Sequence, residues 1–372
     1  LRLRADALAQ TRAPVGLLVL EGGDRSRPWL DAETVTWLGV GEGPGATGDV
    51  LTMSVRLRDV PSGSELRVGR MVVSTGAVRP LHLDGARALG RVFGTTTLEA
   101  FGGVPVVRNF DYRGFGWAAG GRVGQGLGDT ALVGASYVQR RAGAQLADEE
   151  AGVDAAFTPT PWLTAAGRAA FDLVHAGPAD ALVSISAQRK ASRVELFSTH
   201  RSAGRLLPST SLFSVLGDYA ATSAGATVRH RAFPRLELVG TASGQMQADE
   251  VGGQAIGRAT LALDDEWAGT VGIELRRVDF GTARWAGARA IASLPLSVAV
   301  RLATELELVR PDDPRGRGVL WPWALVALAV RPAPRWDIAC AVEASSGREY
   351  RHEAHALVRA SYTFGASGER GL

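Results

Sequence analysis

The groups that could carry chemistry are few and scattered. The six histidines are His82, His175, His200, His230, His352 and His355. His352 and His355 are three apart, which on a strand puts them on opposite faces and spoils a two-histidine metal site. The single cysteine, Cys340, rules out an intrachain disulfide and a thiolate cluster. It alternates with Trp336, Ile338 and Val342, which predicts a small buried hydrophobe on the apolar face of a strand. No Gly-x-Ser-x-Gly, Walker or His-Glu-x-x-His sequence occurs. Gly121, Gly124 and Gly126 have the wrong spacing for a dinucleotide loop. His200 with Ser202 is the one hint of a base beside a nucleophile. Asp84, Asp312 and Asp313 could meet a cation in loops, but scattered rim acids are ordinarily solvated. No enzyme activity and no cofactor or metal is expected.

What the chain has in quantity is charge of both signs. Lys and Arg number 41 and Asp and Glu 38, a net charge of +3. Lys190 is the lone lysine. So small an excess, with no basic run, excludes nucleic acid as the expected partner. Acids and arginines lie close together, as in Glu274 with Arg276 and Arg301 with Glu305. The bland reading is a set of salt bridges within and across strands. The functional reading is a polar channel wall, with Arg193, Arg201, Arg205, Glu274, Arg276, Arg301, Glu305 and Glu307 as its lining or constriction.

The elements that must carry these residues are strands. From Leu296 to Val309 apolar residues alternate with Ser297, Ala299, Arg301, Ala303, Glu305 and Glu307, a separation a strand makes and a helix scatters. Leu51, Met53, Val55 and Leu57 oppose Thr52, Ser54, Arg56 and Arg58 in the same way. At the far end Ala354, Ala356, Val358, Ala360, Tyr362 and Phe364 form one face. The apolar face often carries alanine and glycine, as at Gly167 and Ala169 or Ala286, Ala288 and Ala290. Such a face suits a lipid-facing wall better than a tightly packed sandwich core. No run reaches the roughly 18 apolar residues a spanning helix needs, and the longest is interrupted by Pro322.

Connections alternate in length. Short turns fall at 60–63, 190–192, 232–234 and 332–334, and long ones at 41–48, 202–221 and 310–318, the habit of bacterial outer-membrane barrels. Counting segments gives about 20 strands, between roughly 18 and 22, with an even number expected. The expected fold is therefore all-β: a single antiparallel transmembrane β-barrel, one domain over 1–372, in the bacterial outer membrane. Trp29, Trp162, Trp285 and Trp336 sit near strand starts, where an interfacial girdle would place them. The chain starts at Leu1 with no basic-then-apolar leader, as a processed or trimmed chain would.

One stretch carries a likeness. Leu66-Arg67-Val68-Gly69-Arg70, then Ser74-Thr75-Gly76, then Leu83-Asp84-Gly85-Ala86-Arg87-Ala88-Leu89, then Leu98-Glu99-Ala100-Phe101 resembles porin-type barrels of the alginate-export group. Met71 stands where that group has glutamine after Gly-Arg. The likeness implies a porin-like barrel and carries over no polysaccharide site.

A barrel of this size is too wide for its own side chains to fill, so something must narrow it. The connection 200–221, with Arg201, Arg205 and the mostly apolar run Leu212 to Leu216, is the expected constriction. The expected function is a porin-like channel for passive passage of small polar or anionic solutes. The alternative is a non-conducting barrel that anchors or assembles an envelope secretion or surface complex, with other envelope proteins as partners. Both expect the lipid bilayer as surroundings.

Overall fold

The computed structural model describes residues 2–10, 15–24, 27–40, 46–59, 61–106, 116–202, 220–247, 250–281, 283–313, 319–346 and 352–363. The alternating stretches lie in strands. The first eight are β1 (Arg2–Gln10), β2 (Val15–Asp24), β3 (Arg27–Val40), β4 (Ala46–Asp59), β5 (Ser64–Val73), β6 (Leu81–Phe93), β7 (Thr96–Pro105) and β8 (Gly116–Leu127). Next come β9 (Ala131–Ala142), β10 (Gln145–Thr160), β11 (Leu163–Asp172), β12 (Gly177–Arg189), β13 (Ser192–Arg201), β14 (Ala221–Phe233) and β15 (Leu236–Gln247). The last are β16 (Glu250–Ala262), β17 (Thr270–Phe280), β18 (Ala283–Ser297), β19 (Val300–Pro311), β20 (Trp321–Val330), β21 (Trp336–Ser345) and β22 (Glu353–Thr363).

Each strand pairs antiparallel with its sequence neighbours, and the 22-stranded sheet closes when β1 pairs with β22 from Arg2↔Thr363 to Gln10↔His355. Closure removes both free edges, which an open sheet of this length would leave unpaired. One rim carries tight reversals such as those between β6 and β7, β12 and β13, and β18 and β19. The chain enters β1 and leaves β22 at this same rim. Its longest connection is 263–269, where the amides of Ala268 and then Gly269 donate to Asp264 and hold that carboxyl below its ordinary range. The opposite rim carries the long connections, among them 106–115, 202–220 and 312–320.

Side chains sort by the period-two rule. Ile273, Leu275, Leu306, Leu308 and Val342 point outward and are more than half exposed. Between them, Glu274, Arg276, Glu305 and Glu307 point into the lumen. A surface this apolar on the outside is the reverse of a water-soluble sheet protein. Outside, at the short-turn rim, Trp336 packs on Tyr362 with ring centroids 4.8 Å apart.

Two expectations are corrected. Leu296 to Val309 is not one strand: β18 ends at Ser297, Val298 and Ala299 make the turn, and β19 begins at Val300. The alternation runs unbroken through that two-residue turn, so periodicity alone could not show it. Cys340 lies on the apolar face as expected, but that face looks outward and the thiol is exposed.

With Cys340 replaced by serine, the pair Ala5→Cys and Ala360→Cys, directly opposed in the closing register, should crosslink in the folded protein and not in the urea-unfolded chain. Directly opposed Cβ atoms lie about 4.5–5.5 Å apart, close enough for oxidation with a small adjustment. A folded protein that stays uncrosslinked in this and the flanking registers would mean an open sheet. Leu306→Arg, on the outward face, should cost roughly 2–4 kcal/mol in a bilayer, and Ala303→Arg, facing the lumen, much less. Equal losses in a vesicle refolding titration would invert the assignment of faces.

Candidate functional site

The lumen is lined by charge and not by a hydrophobic core. Around the wall, acids and arginines on adjacent or next-but-one strands form a belt of cross-strand pairs. Asp31 accepts from Arg56 Nε at 2.8 Å, and Glu99 accepts from Arg87 Nε at 2.5 Å. Asp154 accepts from Arg122 Nε at 2.9 Å, Asp180 pairs with Arg168 at 3.2 Å and Glu237 with Arg229 at 2.7 Å. Asp31 and Arg56 stand directly opposite, Glu99, Asp180 and Glu237 meet arginines two residues off the direct register, and Arg122 reaches Asp154 across Gly134 of β9, where a side chain would be in the way.

Of the expected lining residues, Glu274, Arg276, Glu305 and Glu307 take part in this belt. Glu274, almost wholly buried by its neighbours, accepts from Arg258 Nε at 2.6 Å and from Arg276. Arg276 Nη1 also reaches Glu307 at 3.2 Å, so Glu274, Arg276 and Glu307 form one network. Glu305 is held by Arg289 instead, and Arg301 donates to Ser293 Oγ at 3.3 Å. Arg193 bridges Ser186 and Glu195 on another part of the wall, near the short-turn rim. Arg201 ends β13 at the opposite rim, and Arg205 lies outside the described residues, as does the connection 203–219 expected to narrow the lumen.

An element that the sequence reading missed does enter the lumen. The tip of the β5–β6 hairpin, 71–83, leaves the wall and folds inward. The β4–β5 ladder stops at Met53↔Arg70, whereas β5 and β6 stay paired to Val73↔Leu81. The departure point is a row of small residues: Ser54 opposite Gly69, Gly69 opposite Gly85, Gly85 opposite Gly103. Gly69 has φ of +125°, which side chains rarely tolerate. A Cβ on Gly85 would stand 2.2 Å from the carbonyl oxygen of Gly102, so the two backbones could not approach as they do. This is the use of glycine at sheet bends: twist and close contact without a side chain in the way.

Beyond the bend one face of the β5 arm is covered, and both faces of the β6 arm at Leu81 to Leu83. Met71, Val73, Val78, Leu81 and Leu83 bury themselves against Phe101, Ala118 and Val138 on the inner wall. The tip then docks further round. Thr75 Oγ1 donates to Glu99 at 2.6 Å, and the amide of Ala77 donates to Ser136 Oγ at 3.2 Å. Ala77 packs with Ala170 of β11 and Ala179 of β12. Arg79 makes the strongest contact. Its amide and its Nε donate to the two oxygens of Glu150 at 2.8 and 2.7 Å, and its Nη1 to Asp148 at 2.8 Å. Glu150 is 0% exposed. Glu99 is the fourth residue of β7 from the short-turn rim, so the tip descends deep into the barrel.

The bend leaves carbonyls of β4 without a ladder partner, and side chains take their place. Arg70 Nη1 donates to Val50 O at 2.9 Å, while its Nε and Nη2 hold Asp84, both at 2.8 Å. His82 Nε2 lies 2.6 Å from Leu51 O. A signal for all this was present in the sequence. Leu81-His82-Leu83 lacks a polar face and is buried on both sides, as covered strands are, and Met71-Val72-Val73 lacks a polar face although Val72 stays exposed. Among the described residues no group of three or more His, Cys, Asp or Glu could hold a metal ion.

No protein-family description matches the chain and no curated relative was found, so the alginate-export likeness stays a resemblance. Solved structures do share the fold. The P pilus usher PapC translocation pore superposes with a TM-score of 0.57 at 9% identity, covering 98% of this chain and 100% of that one. The ferric enterobactin receptor PfeA of Pseudomonas aeruginosa gives 0.60 at 8% identity, covering 98% and 81%. The siderophore receptor PirA of the same organism gives 0.57 at 8% identity, covering 97% and 80%. At such identities the likeness is one of fold: a large barrel of the outer-membrane kind.

Gly85→Val should drive the hairpin out of its seat, because the added atoms have no room beside Gly102 and Gly103. The expected result is a lower melting temperature and new proteinase K cleavage within 74–80, which the parent protein should resist. A variant as resistant as the parent would show that the bend does not depend on the glycine row.

Proposed function

We propose that the chain is an outer-membrane channel for passive passage of small polar or anionic solutes, narrowed from within by the β5–β6 hairpin. The observation that carries this reading is the seating of Arg79 on Glu150 and Asp148. A barrel of 22 strands is wider than its own side chains can fill, and an aqueous lumen or an internal obstruction follows. The hairpin occupies one side of that lumen and rests on β7 to β12. The wall of β13 to β22 carries most of the proposed lining: Arg193, Arg201, Glu274, Arg276, Arg301, Glu305 and Glu307. Water and small polar solutes suit such a wall, since every charge on it is already stabilised by a neighbour or by solvent. The signs alternate, so selectivity between ions is expected to be mild.

Single-channel conductance in planar bilayers tests the proposal. The parent protein should conduct, and Arg79→Ala or Glu150→Gln should raise the unitary conductance or its open fraction by loosening the tip. Glu150→Gln keeps the shape and removes the charge, so it separates release of the tip from misfolding. A parent that inserts and conducts nothing, with both variants equally silent, would sink the channel. The anchor or assembly component of an envelope complex would then be the better reading.

A further inference from the structure

We infer that the outer face of β17–β19 holds a phosphate-bearing lipid at the long-loop rim. This rests on the membrane reading above and concerns the barrel's outside, not its lumen.

The cross-strand register builds the site. On the outward face Arg277, Ala286 and Arg310 stand in one row across the three strands. In the next row towards the rim Arg284 opposes Asp279, and the amide of Asp312 donates to Arg284 O at 2.8 Å. Two arginines thus flank an alanine, with a third above it. Arg277 is held by Asp312 through Nη1 and Nη2, at 2.6 and 2.5 Å, and Arg284 Nε by Asp279 at 3.0 Å. Arg310 makes no ion pair among the described residues. The cluster keeps one positive charge in excess, and its acids fix two of the guanidinium groups in place.

Just below it, towards the middle of the barrel, the same face turns apolar. Ala288 lies between Leu275 and Leu308, and Ala290 between Ile273 and Leu306. All four flanking side chains are more than half exposed. The result is a trough floored by Ala286, Ala288 and Ala290, with branched ridges on both sides and arginines at its upper end. Charged side chains on an outward face are costly at bilayer depth and at home only at headgroup level. Guanidinium groups bind phosphate oxygens in pairs, and a floor of alanines leaves space for an acyl chain. Charge and shape therefore fit one occupant: a lipid whose phosphate sits over Ala286 and whose chain runs down the trough.

The test is native mass spectrometry of the purified barrel in neutral detergent, titrated with dioleoylphosphatidic acid. The parent should retain one such lipid at least roughly tenfold more tightly than the combined Arg277→Gln, Arg284→Gln, Arg310→Gln variant. Arg331→Gln with Arg335→Gln, at the opposite rim, should leave retention unchanged. Ala288→Trp fills the trough and should weaken retention although the arginines remain. Equal retention by the triple variant would overturn the site. So would displacement of the lipid by an equal concentration of inorganic phosphate, which would mark a simple anion site. Thermal melting confirms that each variant is folded. Flotation of the parent with vesicles of phosphatidylcholine alone tests the membrane reading separately.

Discussion

The structure depends on one constraint: a backbone in lipid has no water to bond with, so every strand must find its partner in the sheet. Twenty-two strands meet that demand only because β1 and β22 meet each other. Once the ring is closed, the rest follows from alternation. One face of each strand is given to the surroundings and becomes apolar. The other is given to a wide interior and becomes charged, because an interior of this width has too little facing it to form a packed core.

The one place where the ladder is interrupted shows how strict the rule is. Where β5 turns away from β4, the carbonyls of Val50 and Leu51 lose their partners and receive Arg70 and His82 instead. An unmet carbonyl in a dry place costs about 1–3 kcal/mol, which explains an arginine and a histidine at positions whose neighbours are apolar. The glycine row and these two side chains are complementary. The first lets the hairpin bend, and the second repairs the wall behind it. The hairpin in turn supplies the only sizeable cluster of buried apolar side chains among the described residues.

Much of this was legible in the sequence, for physical reasons. Outer-membrane strands must alternate, so Leu51 to Arg58 and Ala354 to Thr363 announce both their conformation and their faces. The number of strands came close for the same reason. What alternation cannot show is a boundary that preserves phase, and so the Val298–Ala299 turn disappeared inside a longer run. Nor does an apolar face imply a buried one: Cys340 lies on the apolar face and is exposed, because that face looks outward. The hairpin was hidden for a different reason. Its residues depart from period two, and a departure reads as noise unless one asks what could cover both faces of a strand at once. The connection 200–221 carries the louder signal, in its length and its apolar run. The charged lining was legible as residue types, but the partners were not: Glu305 pairs with Arg289, diagonal to it on β18, and not with Arg301, since residues four apart on one strand lie roughly 13 Å from each other.

The seat of the hairpin also bears on the order in which the molecule can be made. Every contact of the tip, from Glu99 to Ala179, lies on strands that follow closely in the chain, whereas the final seam joins residue 2 to residue 363. Contacts near in sequence form sooner than distant ones, since less chain entropy is lost in closing the intervening loop. The tip can therefore settle on β7 to β12 while the sheet is still an open, curling ribbon. Entering later would require Arg79 to cross a finished wall or thread down from the rim. The hairpin is best understood as a former around which the first half of the sheet curls, kept in place when the second half comes round to complete the circle.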